Sequence, residues 1–272
     1  KGINVSRVLK TLDVDSTALG FSGGFPGDFI AQTLEDSNIQ SDFVQVDEDT
    51  RINVKLKSGQ ETEINAPGPK VTHAQFEQLL SQIRRTTKDD IVIVAGSVPN
   101  SIPSDAYAQI AQITEKTGAQ LVVDAEKDLV ETVLPYRPLF IKPNKDELEV
   151  MFNTTVKSDE DVIKYGKEIL KKGAQSVIIS LGGDGAIYVD QHQSIKAVNP
   201  QGHVVNTVGS GDSTVAGMVA GLSMGLNIDE AFQQAVASGT ATAFSEDLAT
   251  RDAIENIKSQ VTISVLDEKK KR

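Results

Sequence analysis

Four short runs in this chain are apolar almost without interruption: IVIVAG at 91–96, LVVDA at 121–125, LFIKP at 139–143 and SVIISLG at 176–182. A strand covered on one face alternates apolar and polar residues, whereas a strand buried on both faces does not. All four runs therefore predict fully buried strands. Between them, apolar residues recur at three- and four-residue spacing, the period of a helix with one buried face. HAQFEQLLSQIRR follows Thr72, and Gln75 stands where it completes a capping box. SDAYAQIAQITEKTG ends on Gly118, a natural helix stop. SDEDVIKYGKEILKKG opens on Ser158 with acids in its first turn and closes on lysines and Gly173, the charge order a helix dipole favours. At the start of the chain, KGINVSRVLKTL sets Val5, Val8, Leu9 and Leu12 on one face, a helix already under way at Lys1.

Strands alternating with helices predict an α/β sandwich, a mostly parallel central sheet with helices on both faces. One region breaks the rhythm. FVQVDEDTRINVKLKSGQETEIN, residues 43–65, has strand patterns but no helix, and Ser58–Gly59 suits a hairpin turn. It predicts a small antiparallel β-lid on the α/β core. No repeat or low-complexity linker divides the chain, so residues 1–272 read as one domain, with 266–272 as a disordered tail.

Composition narrows the partners. The net charge of −11 argues against nucleic acid, whose phosphates demand a basic face. A phosphorylated ligand would need local donors instead. No window is apolar enough to predict a membrane span, and no basic-then-apolar leader opens the chain. Cysteine is absent, which excludes disulfides, thiolate metal sites and cysteine nucleophiles and is compatible with a cytoplasmic home.

The unusual residues cluster where the predicted strands end: GSVP (96–99), Asp124, KPNKDE (142–147) and SLGGDG (180–185). In open parallel sheets, ligands bind beyond the carboxyl ends of the strands. Each stretch alone is an ordinary turn; their succession points to a shared site. NTVGSGDSTVAGMVAG (206–221) then leads into a helix rich in small residues. A helix start offers unpaired N–H groups and partial positive charge to an anion, and Gly209 and Gly211 let backbone approach it closely. Asp212 beside such an anion suits a base that takes a proton from an attacking hydroxyl. The plainer role is a helix cap. Gly217 and Gly221 predict close approach of a neighbouring helix or a nucleotide.

Two pattern matches compete. GSGDST (209–214) nearly matches the dinucleotide fingerprint, but no opening strand–helix–strand unit surrounds it, and Asp229 and Glu230 start a helix. GFSGG (20–24) matches a serine-hydrolase elbow at Ser22, with His192 or His203 as nominal partners. Both histidines lie in polar, loop-like sequence, where the ordinary expectation is an exposed side chain.

Together, KGINVSRVL, TRINVKL, TEINAPGP, AGSVP, KPNKDEL, SLGGDGA and NTVGSGDSTVAGMVAG resemble the ordered motifs of the ribokinase-like carbohydrate kinases over essentially the whole chain. Within that family the chain is similar to the 1-phosphofructokinase branch, with tagatose-6-phosphate kinases as neighbours. The resemblance implies ATP-dependent phosphorylation of the C6 hydroxyl of fructose 1-phosphate. It makes Asp212 the general base and Gly209, Ser210 and Gly211 the anion hole. It places Lys142, Asn144, Ser180, Gly182, Gly183, Asp184, Gly185 and Gly211 on the ATP side. Glu147 is tied to Mg²⁺, and Asn4, Gly23, Gly24, Arg51, Ser97 and Asp212 to the sugar phosphate. It also implies a homodimer joined through the β-lids. The family motif carries two glycines before the position of Lys1, preceded by a strand and a lid segment. A form lacking them, holding nucleotide or sugar phosphate without turnover, is the second expectation.

Overall fold

Helix α1 (Gly2–Thr11) buries Val5, Val8 and Leu9, with Leu12 just beyond it, as their spacing predicts. The structure, a computed structural model, describes residues 1–58 and 60–268. Strand β1 (Thr17–Ser22), helix α2 (Gly24–Asp36) and strand β2 (Gln40–Gln45) follow as one βαβ unit, with β1 and β2 parallel and Thr17 opposite Gln40. The lid is the antiparallel pair β3 (Val54–Ser58) and β4 (Gln60–Ile64), with Val54 opposite Ile64. Gly59, expected in its turn, lies outside the described residues.

Next come α3 (His73–Ile83), β5 (Ile91–Ala95), α4 (Ala106–Thr117), β6 (Gln120–Asp124), α5 (Lys127–Val133) and β7 (Phe140–Ile141). They are followed by α6 (Lys145–Phe152), α7 (Asp159–Lys172), β8 (Ser176–Ser180), β9 (Ala186–Asp190) and β10 (Gln193–Val198). The chain continues through α8 (Ser210–Ser223), α9 (Ile228–Ala243), α10 (Arg251–Lys258) and β11 (Thr262–Glu268). The seven-stranded sheet has the order β11-β10-β9-β8-β7-β6-β5. Strands β5 to β8 run parallel, and β8 to β11 pair antiparallel.

Residues that alternate along one strand feed two cores. Ile141, Val177 and Ile179 enter a core with Phe76, Leu80 and Leu148. Phe140 and Ile178 point the other way, into a core with Val8, Val215 and Phe232. That two-faced burial is why these strands read as unbroken apolar runs. The capping box of Thr72 and Gln75, the Ser158 cap and the left-handed Gly118 stop (φ +81°) all form as predicted.

Three expectations change. The lid does not begin at residue 43, because Phe43, Val44 and Gln45 belong to β2, where fully buried Val44 packs into the core beneath α3. Residues 266–268 are not a tail; β11 continues through them, with Asp267 opposite Ser194 and Glu268 opposite Gln193. The rest of the expected tail, 269–272, lies outside the described residues. Strand β5 is half-buried along its length rather than fully buried, because it is the edge of its sheet. A cleft of about 960 Å³ opens between it and β1, lined by Val5, Leu9, Leu19, Ile91 and Ile93 among others.

Candidate active site

The small residues of α8 have a packing cause. A Cβ on Gly217 would stand 2.6 Å from Ser238 Oγ and 2.8 Å from Ala235 Cα, and one on Gly221 would stand 2.8 Å from Ala231 Cα. Helix α9 therefore lies against α8 closer than any side chain on those two glycines would allow. This contact anchors α8 in the core, and its first turn is fixed with it.

Helices α3, α6, α7, α9 and α10 are closed by the side chains of Thr72, Asn144, Ser158, Asn227 and Thr250, whereas α8, like α1, α2, α4 and α5, has no side-chain cap. Gly209 occupies its N-cap in the left-handed region (φ +83°), where Leu248 Cδ2 would come within 2.7 Å of a Cβ. Ser210 Oγ is buried without a hydrogen-bond partner. Buried hydroxyls nearly always have one, so the Ser210 hydroxyl is a polar group that no described residue satisfies, while Ser210 N donates to Thr207 O at 3.2 Å. Asp212 follows in the same turn, only 5% exposed. Asn4 of α1 donates from Nδ2 to its Oδ2 at 2.9 Å. Asp212 is thus not spent as a cap; its partner is the side chain of another helix.

The neighbouring strand ends converge on this turn. Lys142, just after β7, is buried, and a Cβ on Gly211 would come within 3.2 Å of its Nζ. Its counter-charge is Asp124 at the end of β6, with Nζ 3.3 Å from Oδ1; Lys1 Nζ takes Oδ2 at 3.0 Å. Burial pushes the Asp124 carboxyl up, but Lys142 and then Lys1 more than offset it and hold it below the ordinary aspartate value. Burial pulls the Lys1 ammonium down, and attraction to Asp124, then Asp212 and Glu147, outweighs it and leaves Lys1 raised. Gly96 N donates to Asp124 O at 3.3 Å, which ties the GSVP turn to the same point.

On the other side, Asn144 pairs with Ser180 in a parallel bridge. Gly182 and Gly183 face open space, while Gly185 (φ +92°) is required by Ala197 O, which would lie 1.9 Å from a Cβ. Gly182 and Asp184 bound a short 3₁₀ turn, and Asn199 Nδ2 donates to Gly182 O at 3.1 Å. The N-x-x-E stretch is a helix capping box: Asn144 Oδ1 accepts from Glu147 N, and Glu147 Oε2 accepts from Asn144 N, each at 2.8 Å. Asn227 and Glu230 form the same box at α9. The motif's geometry is therefore local helix chemistry, and its place beside Ser180 distinguishes the first copy.

Arg51 and Ser97 meet, with Nη2 donating to Ser97 Oγ at 3.3 Å, and Nη1 donates to Ala66 O at 3.3 Å. Gly23 and Gly24 sit at the root of this segment. Gly23 O accepts from Thr50 N at 2.8 Å, and a Cβ on Gly24 would strike Asp49. Their close packing fixes the chain just before Arg51. The hydrolase alternative fails on burial. Ser22 is buried beside Gly27, whereas His192 stands in the exposed β9–β10 turn and His203 in an exposed loop. Among the described residues, no helix is long and apolar enough to cross a membrane.

The pfkB family carbohydrate kinase model matches residues 1–253, from Lys1 into α10, and so includes the α8 turn. The chain belongs to the pfkB family of carbohydrate kinases. This pfkB kinase is 44% identical over 266 residues to the 1-phosphofructokinase of Bacillus subtilis, an overlap of 98% of the chain and 88% of the relative. It is 38% identical to the D-tagatose-1-phosphate kinase of Bacillus licheniformis, with the same coverage of each. A Staphylococcus aureus crystal structure superposes with a TM-score of 0.92 at 80% identity, covering 98% of this chain and 87% of that one. The α/β fold expected from the apolar runs is thus the fold of this family.

Two residues of the cluster, Lys1 and the carboxylate of Asp124, carry no role in the sequence reading. The signal was present: LVVD and LFIK end neighbouring strands in opposite charges.

Proposed function

We propose that this pfkB kinase transfers the γ-phosphoryl group of ATP to the C6 hydroxyl of fructose 1-phosphate, giving fructose 1,6-bisphosphate and ADP. One observation carries the reading: a buried carboxylate, Asp212, held by Asn4 in the first turn of a helix whose start has no side-chain cap. The hydroxyl oxygen attacks phosphorus as its proton passes to Asp212. The new O–P bond forms while the bond to the β–γ bridging oxygen breaks, and the electron pair leaves with ADP. Backbone N–H groups of Gly209, Ser210 and Gly211 receive the charge that builds on the phosphoryl oxygens. Positioning and charge dominate such transfers, so little covalent chemistry is asked of the protein.

Arg51 suits the substrate phosphate, since a guanidinium fork matches its oxygens, with Ser97, Asn4, Gly23 and Gly24 around the sugar. Lys142, Asn144, Ser180 and the 182–185 turn form the nucleotide side. Mg²⁺ bound to ATP would neutralise phosphate charge, and Glu147 is the carboxylate that would hold it. The fit rests on chemistry: Mg²⁺ takes one or two carboxylates, phosphates and waters rather than a protein cage. Among the described residues there is no cluster of three ligating side chains that would hold a metal unaided. Exposed Ile52, Val54, Leu56 and Ile64 on the lid support a homodimer joined through that surface. The cytoplasm, where ATP meets sugar phosphates, is the matching compartment.

A tagatose phosphate is the second reading, favoured by the 38% identical D-tagatose-1-phosphate kinase. An ADP-release assay across fructose 1-phosphate, tagatose 1-phosphate, tagatose 6-phosphate and fructose 6-phosphate tests both. The highest kcat/KM is expected on fructose 1-phosphate. A higher value on a tagatose phosphate supports the second reading, and nucleotide binding with no turnover on any of them contradicts both.

A further inference from the structure

We infer that Asp124 is a positioning residue for phosphoryl transfer: it holds the ammonium groups of Lys142 and Lys1 side by side at the turn that begins α8. The inference rests on the kinase reading above and assigns a role to a carboxylate outside that reading's machinery.

Three observations carry it. Asp124 is only 4% exposed, and each of its oxygens meets a different ammonium, Lys142 at 3.3 Å and Lys1 at 3.0 Å. Lys142 is itself buried, and a charged lysine is almost never buried unless paired. Lys142 Nζ is also the group that stands against Gly211, within 3.2 Å of where a Cβ would be. A carboxylate that served only to neutralise one buried lysine would need one partner. Here it bridges two cations that would otherwise repel, and the trio keeps one net positive charge. That charge lies where the ends of β6 and β7 meet the first turn of α8, with Lys142 Nζ against Gly211. The side-chain partners of Asp124 are the two lysines, so it acts through them.

A double-mutant cycle of Asp124→Asn and Lys142→Met tests the idea, read in kcat on fructose 1-phosphate and separately in Kd for ADP. Asp124→Asn should lower kcat about tenfold or more, as loss of an oriented charge at a transition state does, with KM for the sugar phosphate nearly unchanged. In the Lys142→Met background the same change should cost little further, because coupled residues are non-additive. Asp124→Glu, which keeps the charge, should recover part of the loss, and Asp124→Ser stands in for Asp124→Asn if the latter does not fold. A carboxylate that only stabilises the fold would lower Tm and leave kcat of the folded protein unchanged. Unchanged kcat and Kd, additive losses in both readouts, or no ADP binding by the unmodified chain would overturn the proposal. Coupled losses of kcat on a tagatose phosphate, with fructose 1-phosphate not turned over, would uphold it and sink the fructose 1-phosphate reading instead.

Discussion

Asn4 Nδ2 donates to Asp212 Oδ2 at 2.9 Å, which joins the first turn of α1 to the first turn of α8 across 208 positions of sequence. A carboxylate pinned by one oxygen keeps a fixed direction for the other. The amide of Asn4 thereby turns a buried aspartate into an oriented one.

Asn4→Ala should therefore lower kcat while leaving nucleotide affinity nearly intact. A hydrogen bond to a charged group contributes about 1.5–3 kcal/mol, roughly ten- to a hundredfold in rate if all of it acts in the transition state. Asn4→Asp should be worse, because it sets two carboxylates in place of a donor and an acceptor. Steady-state kinetics beside an ADP titration separate the outcomes. Equal losses in kcat and ADP affinity would make Asn4 a packing residue.

Gly217→Ala sets two effects of opposite sign against each other. Alanine in a helix is favoured over glycine by about 1 kcal/mol. Here its Cβ would come 2.6 Å from Ser238 Oγ and 2.8 Å from Ala235 Cα, and backbone cannot turn aside as a side chain can. Overpacking of that kind costs about 1–3 kcal/mol. The variant should be less stable in urea; a raised midpoint would show that α8 and α9 can separate at little cost.

Glu147 and Glu230 close two capping boxes of the same design, one at the strand ends and one at α9. Replacing either with Gln should cost a similar, small amount of stability. Only Glu147→Gln should shift the Mg²⁺ dependence of turnover. If both variants titrate with Mg²⁺ like the unmodified chain, the first box is structural too.

Arg51→Ala should raise KM for the sugar phosphate about ten- to a hundredfold and KM for ATP far less. Arg51→Lys should restore only part, because an ammonium has no fork. An equal rise in both KM values would make the contacts of Arg51 with Ala66 and Ser97 its whole role.

Much of this was legible in the chain because burial on two faces writes itself into composition. The runs ending in Asp124 and Ser180 could hardly be anything but central strands. Caps at Thr72 and Ser158 were legible because their chemistry is local. Strand β2 was harder: QSDFVQ has one fully buried residue, Val44, and its partner β1 is a remote choice made by the fold. Strand β11 reads as a charged tail because its last residues are polar and its pairing with β10 lies about 70 positions upstream. The site divides in the same way. Glycines and the aspartate of GSGD declare an anion turn by type and spacing. Its second layer is harder to read: LVVD and LFIK end neighbouring strands in opposite charges, but the contacts of Asn4 with Asp212 and of Lys1 with Asp124 are made across the fold.

The most direct test of Asp212 as the base is Asp212→Asn, measured for kcat on fructose 1-phosphate with ADP affinity in parallel. Asparagine keeps the size and the α8 turn but cannot take up the hydroxyl proton. General-base help is worth about 10²–10⁴ in rate, so kcat should fall at least about a hundredfold while Kd for ADP stays close to that of the unmodified chain. Turnover within a few-fold of the unmodified chain would contradict the account and leave Asp212 a buried partner of Asn4.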